Sequence, residues 1–200
     1  MSEYWQCAFI GEGTSDNGLA RVLERLLMSM RPGADVNLEP HEWTGRRPNN
    51  AEEKIKALAE EPYDLIFVHR DADNAGIEAR IKECRSPDDD RVVPVIPVRM
   101  TEAWVLADLW SEESFQAWAA GKGLSRKVIE GLADPKRTLE EYLNRDRSRF
   151  MKATEFASRR SRLVGKIRID GDVKHLEAWK RLEDELSDAL IRVRPYLRKE

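Results

Sequence analysis

The chain has 200 residues, enough for a hydrophobic core in one domain with an extension or in two small domains. Apolar residues make up 41% of it and charged residues 36%, which is typical of a folded protein with a heavily solvated surface. The net charge of −3 argues neither for nor against a nucleic-acid partner. No apolar stretch approaches the length of a membrane span, so we expect no membrane partner.

The cysteines and histidines give no sign of a disulfide framework or a zinc site. Cys7 and Cys84 form no CxxC pair, and the three histidines have no zinc-ligand spacing. The N-terminal segment MSEYWQCAFI lacks the basic region and long apolar run of a signal peptide. These features predict a cytoplasmic protein with reduced thiols.

The first part of the chain alternates between strand and helix patterns. Apolar runs predict strands over residues 4–10, 36–43, 64–69 and 92–98. The proline of the second run favours an edge position, and the prolines of the fourth favour an edge or a bulge. Ser15 or Asp16 can cap the helix that follows the first strand. The alternation predicts an α/β fold with a mainly parallel, Rossmann-like sheet and helices on both faces.

The residues after 108 carry helix patterns and no convincing strand. Thr138 with Glu141 predicts a capping box at the start of one helix. An apolar stripe predicts a long final helix that ends near Pro195. We therefore expect a catalytic domain over residues 1–108, followed by an α-helical C-terminal extension over residues 109–200 that packs on it.

Acidic residues follow three of the predicted strands. Glu12 lies in a glycine-bracketed turn after the first strand, Asp71 and Asp73 follow the third, and Glu102 follows the fourth, where Thr101 is a good helix N-cap. The carboxyl ends of parallel strands meet at one edge of a sheet, so the four carboxylates are expected to converge there. Such oxygen ligands suit Mg²⁺ or Mn²⁺, and Glu12 can ligate the metal or move a proton. The helix dipole alone is an equally good explanation of Glu102.

A basic stretch lies in the predicted extension. Residues 145–168 contain nine cationic side chains and only two acidic ones. We expect this stretch to contact nucleic-acid phosphates without base specificity, although a solvated helix face would have a similar composition. The expected phosphate contacts are Arg149, Lys152, Arg159, Arg160, Arg162 and Lys166.

Three strings of this sequence resemble the Toprim (topoisomerase–primase) domain. They are FIGEGTSD, DLIFVHRDADNAG and VIPVRMTEAWVLAD, and TEAWVLAD is the most distinctive part of them. The pattern is similar to that of a small stand-alone bacterial Toprim family related to the OLD-type phage-defence nucleases. The resemblance implies that Glu12 has a general acid/base role and that Asp71 and Asp73 hold Mg²⁺. The match of TEAW adds Glu102 as a further ligand.

The resemblance implies a Mg²⁺-dependent nuclease that cleaves phosphodiester bonds of DNA or RNA, acting beside a separate ATPase subunit in a phage-defence module. The chain itself has no Walker A motif, so it is not expected to be a P-loop ATPase. The alternative is a non-catalytic binding or regulatory subunit that keeps the Toprim fold. A homo-oligomer is compatible with either function.

Overall fold

The chain folds around one parallel sheet. The structure, a computed structural model, describes residues 3–85 and 89–197. The strands are β1, Tyr4–Ile10; β2, Asp35–Pro40; β3, Leu65–His69; and β4, Val92–Val95. They pair in parallel in the order β2-β1-β3-β4, which puts the two proline-containing strands at the edges. The predicted parallel α/β fold is confirmed.

Eight α-helices accompany the sheet in the described part of the chain. They are α1, Gly18–Met30; α2, Ala51–Ala57; α3, Ile77–Cys84; α4, Glu102–Leu109; α5, Glu113–Gly121; α6, Pro135–Asn144; α7, Ala153–Val164; and α8, Glu177–Val193. From α4 onward these elements are helical throughout, and α8 ends two residues before Pro195, as its apolar stripe predicts. No described helix is long and apolar enough to cross a membrane.

The two faces of the sheet bury different clusters because side chains alternate along each strand. In β3, Leu65 and Phe67 belong to the larger cluster, whereas Ile66 and Val68 belong to the smaller one. The smaller cluster lies under α2 and α3. The larger cluster contains side chains of α1 and of all the helices from α4 onward. Helices therefore cover both faces of the sheet.

The larger apolar cluster includes side chains from both predicted parts of the chain. Trp104 of α4 lies edge-on to Trp179 of α8, with 5.2 Å between the ring centroids, and both side chains are fully buried. This contact packs the helical extension directly against the helix that follows β4. The division of the chain at residue 108 stays a prediction.

One predicted helix cap is wrong, and a second is confirmed in position only. Helix α6 begins at Pro135, and Asp134 caps it by accepting a hydrogen bond from the Arg137 backbone. Thr138, expected in a capping box, instead donates its hydroxyl to the Asp134 carbonyl. Thr101 is the N-cap residue of α4 as predicted, but its side chain makes no capping bond because the hydroxyl is used within the site described below.

Helices α1 and α7 approach each other closely at Gly18, and this contact gives a prediction about stability. A Cβ atom on Gly18 would lie 2.9 Å from the Gly165 backbone nitrogen and 2.9 Å from the Ser161 carbonyl oxygen. Because backbone atoms cannot rotate aside, we expect Gly18→Ala to destabilise the fold by about 1–3 kcal/mol in urea denaturation. Gly121→Ala is the matched control, since nothing lies within 4 Å of its Cβ position. Equal stability of the two variants would contradict this account of the helix contact.

Candidate functional site

A cleft of about 480 Å³ opens at the carboxyl edge of the sheet, where β1 and β3 end and α4 and α7 pack together. Its charged lining consists of Glu12, Asp16, Asp71, Glu102, Glu140, Lys136 and Arg160. Five of these seven side chains are acidic. The cleft contains three of the four carboxylates that the sequence predicts as metal ligands, namely Glu12, Asp71 and Glu102.

Glu12 lies in the turn that directly follows β1. Its Oε1 is 2.9 Å from Arg70 Nε, which is an ion-pair distance. The Arg70 Nε–H is not aimed at that oxygen, and Nε finds no hydrogen-bond partner among the described residues. Burial raises the pKa of Glu12, and the negative charge of Asp71 raises it further. A carboxyl group with a raised pKa exchanges its proton more readily near neutral pH.

Asp71 is held by the start of α4. Its Oδ1 accepts hydrogen bonds from the Thr101 backbone at 3.0 Å and from the Thr101 hydroxyl at 3.3 Å. The same hydroxyl lies 2.8 Å from His69 Nε2. Burial alone would raise the pKa of Asp71, but the hydrogen bond and charge of His69 and the Thr101 N–H outweigh it and lower that pKa. Asp71 is therefore ionised at neutral pH.

The other oxygen of Asp71 is left for a ligand. Asp71 Oδ2 accepts no hydrogen bond from the residues that the structure describes. The contacts of Oδ1 form one consistent series in which His69 Nε2–H donates to Thr101 Oγ1 and that hydroxyl donates to Asp71. The end of β3 and the start of α4 thus fix the carboxylate before any ligand arrives.

A buried ion-pair cluster also lines the cleft. Arg160 of α7 donates from Nε to Glu102 at 2.7 Å and from Nη1 to Asp16 at 2.9 Å. All three residues are more than nine-tenths buried. Asp16 also accepts the Gly13 backbone N–H at 3.1 Å, which holds the turn that carries Glu12. This cluster joins α7, α4 and the turn after β1.

The ion-pair cluster corrects one interpretation of the sequence. Arg160 was expected among the phosphate contacts of the basic stretch, but its guanidinium is buried and paired. Charge pairing, which a linear count of cations cannot detect, explains the difference. Glu102 lines the cleft as expected, with its Oε1 held by Arg160.

Asp73 is separated from the other predicted ligands. It is exposed, has a left-handed backbone with φ of 45°, and is not among the described residues that line the cleft. Its backbone N–H donates to the Arg99 carbonyl at 3.1 Å. Within residues 3–85 and 89–197, no group of three or more His, Cys, Asp and Glu side chains is arranged to hold a metal ion. Metal ligation by Asp73 stays a prediction.

The remaining members of the basic stretch lie on the surface. Arg149, Lys152, Arg159, Arg162 and Lys166 are all exposed. Arg159 pairs with Glu155 at 3.4 Å, whereas the other four form no ion pair with a described residue. Contact of these five side chains with phosphate stays a prediction.

Two of these cations belong to a separate cleft. Arg162 and Lys166 line a space of about 870 Å³ between α1 and α7, together with Arg21. Arg162 lies on a different face of α7 from residues 156, 160 and 164, and Lys166 follows the end of the helix, so this cleft does not include Arg160. The basic surface and the acidic cleft therefore share one helix.

Sequence reasoning missed several residues of the site. His69 was interpreted only as part of an apolar strand, and Asp16 only as a helix cap, yet both are buried beside the cleft. The separation of His69 Nδ1 and Asp16 Oδ2 is 3.8 Å, and Nδ1 has no hydrogen-bond partner among the described residues. For His69 the sequence did contain a signal of a site, because it is a polar residue at the last position of a fully buried strand.

Comparisons with protein-family models, with curated proteins and with solved structures found no match for this chain. A functional proposal therefore depends on two kinds of observation. These are the sequence motifs and the geometry of the cleft at which they meet.

Proposed function

We propose that the protein is a Toprim-type nuclease that cleaves phosphodiester bonds of DNA or RNA with the help of Mg²⁺. The observation that carries the proposal is the meeting of Glu12 and Asp71 in one acidic cleft at the carboxyl ends of adjacent parallel strands. Ligand sites of open α/β sheets lie at this edge. The motifs of the two residues are also those that resemble the Toprim domain.

The donors in the cleft are of the kind that Mg²⁺ prefers. Asp71 Oδ2 and the carboxylate of Glu12 can each offer an oxygen, and water and substrate phosphate would complete the coordination shell. When bound, the ion would neutralise charge on the phosphate and lower the pKa of a bound water. Mn²⁺ has the same preference for oxygen ligands.

Three residues of this chain would have different roles in the reaction. Asp71, ionised and fixed by Thr101, would hold the metal ion at the strand ends through its free oxygen. Glu12, whose pKa is raised by burial and by Asp71, would accept or return a proton. Arg70, beside Glu12, would oppose negative charge that develops on the substrate.

The exposed cations of α7 and of the segment before it would bind the nucleic-acid backbone. Lys152 is next to Ala153, which lines the acidic cleft, so a strand bound at Lys152 would lead into it. Since phosphate contacts carry no base information, we expect weak sequence preference. The ATPase partner and the role in phage defence are further parts of the proposal that come from the family resemblance alone.

The test is a cleavage assay on plasmid, linear DNA and RNA with Mg²⁺, with Mn²⁺ and with a chelator. We expect cleavage only when metal is present. A chain that binds nucleic acid but cleaves none of these substrates, also beside its ATPase partner, would favour the non-catalytic binding subunit. A non-catalytic subunit would keep the ion pairs of Glu12 with Arg70 and of Glu102 with Arg160.

A further inference from the structure

Three cationic side chains surround the turn after β1, outside the acidic lining of the cleft. Arg47 and Lys54 both donate to the carbonyl oxygen of Gly11, the latter at 3.4 Å. Arg70 lies against the neighbouring Glu12. In the described part of the chain neither Arg47 nor Lys54 forms an ion pair, so this cluster has more positive than negative charge.

Lys54 is the unexpected member of the cluster. It lies on the inner face of α2 beside Ile55 and is only 5% exposed. A buried ammonium without a carboxylate costs stability, and Arg47 and Arg70 add like-charge repulsion. The Lys54 ammonium has three N–H donors, and its hydrogen bond to the Gly11 carbonyl is long. A methionine would fill the same space without this cost.

The two arginines also have unmet hydrogen-bond donors. Arg47 Nε and Arg70 Nε are buried nitrogens with no hydrogen-bond partner among the described residues. Buried donors are normally satisfied, and each orphaned one costs free energy. Arg70 already faces the carboxylates of Glu12 and Glu83, whereas Arg47 and Lys54 face none in the described chain. The cluster therefore keeps a net positive charge and buried N–H donors that an oxyanion could satisfy.

The cluster reaches solvent through Arg47. Arg47 lines a second cleft, of about 580 Å³, together with Gly11 and Thr14. Glu12, one residue further along, lines the acidic cleft. Adjacent residues of the turn, Gly11 and Glu12, therefore line the two clefts, and the cation cluster lies beside that turn.

We propose that Arg47, Lys54 and Arg70 form a phosphate-binding subsite that holds a backbone phosphate of a nucleic-acid strand next to the acidic cleft. The proposal of this subsite depends on the proposed function in one respect, namely that the phosphate comes from a nucleic-acid backbone. Its chemistry, an oxyanion held by two guanidinium groups and an ammonium, follows from the cluster itself.

The test measures binding in the presence of a chelator, so that no cleavage is required. Fluorescent single-stranded DNA and RNA oligonucleotides are titrated with wild type, Lys54→Met, Arg47→Met and the control Lys174→Met, an exposed lysine without an ion pair in the described chain. Loss of one charge-assisted bond should weaken binding about tenfold or more. The control should bind within about twofold of wild type, because one distant cation contributes little.

Thermal unfolding with and without inorganic phosphate gives an independent measurement. Phosphate should raise the Tm of wild type but not of Lys54→Met, because a ligand stabilises only a fold that binds it. Without phosphate, Lys54→Met should be at least as stable as wild type. Unchanged oligonucleotide affinity of Lys54→Met, or a lower Tm of that variant without phosphate, would overturn the subsite and leave the side chain a structural support for the Gly11 carbonyl.

The two proposals fail in distinguishable ways. If wild type binds oligonucleotides through Lys54 but never cleaves them with metal, also beside the ATPase partner, the subsite stands and the nuclease is refuted. If wild type cleaves and Lys54→Met retains its affinity, the nuclease stands and the subsite is refuted. A Tm response to inorganic phosphate without any oligonucleotide binding would support the anion site and overturn its assignment to nucleic acid.

Discussion

Asp71→Asn is expected to reduce metal-dependent cleavage by about 100-fold or more, the size of effect seen when one electrostatic contact to the reacting group is removed. The substitution is conservative for the fold. The new amide would keep an Oδ1 that can accept the Thr101 backbone and hydroxyl hydrogen bonds. The side chain would lose its negative charge, and Oδ2, the oxygen left for a ligand, would become an amide nitrogen that cannot bind Mg²⁺.

Two further variants make the result specific. Asp170→Asn changes an exposed aspartate that does not line the acidic cleft and should leave activity unchanged. Asp73→Asn distinguishes two forms of the site, because Asp73 lies outside the cleft in the structure. A strong loss in Asp73→Asn would show that metal or substrate draws its loop toward Asp71. Full activity of Asp71→Asn, with its fold verified by circular dichroism, would refute the assigned role of the cleft.

The sheet could be predicted from sequence because its signals are local. Each strand is a short apolar run that ends at a turn or a charged residue, and prolines mark β2 and β4 as edges. Parallel order follows from the alternation of strands with helices, since each crossover needs a helix. The position of Glu12 and Asp71 at one sheet edge follows from the same rule.

The pairing of charges could not be predicted in this way. Arg160 is one of nine cations in a basic stretch, and nothing local distinguishes it from Arg159 or Arg162. Arg160 is buried because α7 packs against α4 and α1. This packing places Arg160 beside Glu102 and Asp16, which lie 58 and 144 positions earlier in the chain. Lys54 escaped notice for the same reason, because an amphipathic pattern assigns lysine to the solvent side. Both exceptions lie beside the candidate site, where sequence rules are expected to fail.

The buried cluster around Arg160 leads to the largest expected change in stability. Arg160→Met should reduce the free energy of unfolding by about 3–5 kcal/mol, because it leaves Glu102 and Asp16 buried without their cation. Arg159→Met, one residue away on the exposed side of α7, is the control and should change stability by about 0.5 kcal/mol or less. Urea denaturation measures both values.

Removing the whole charge cluster separates its electrostatic role from its shape. The triple variant with Arg160→Met, Glu102→Gln and Asp16→Asn has no buried unpaired charge, so we expect it to recover a large part of the stability lost in Arg160→Met. If the triple variant is as unstable as Arg160→Met, the loss comes from packing of the arginine side chain and not from charge. Because the triple variant also changes Glu102, a predicted metal ligand in the cleft, the free energy of unfolding and not cleavage is the quantity that decides between charge and packing.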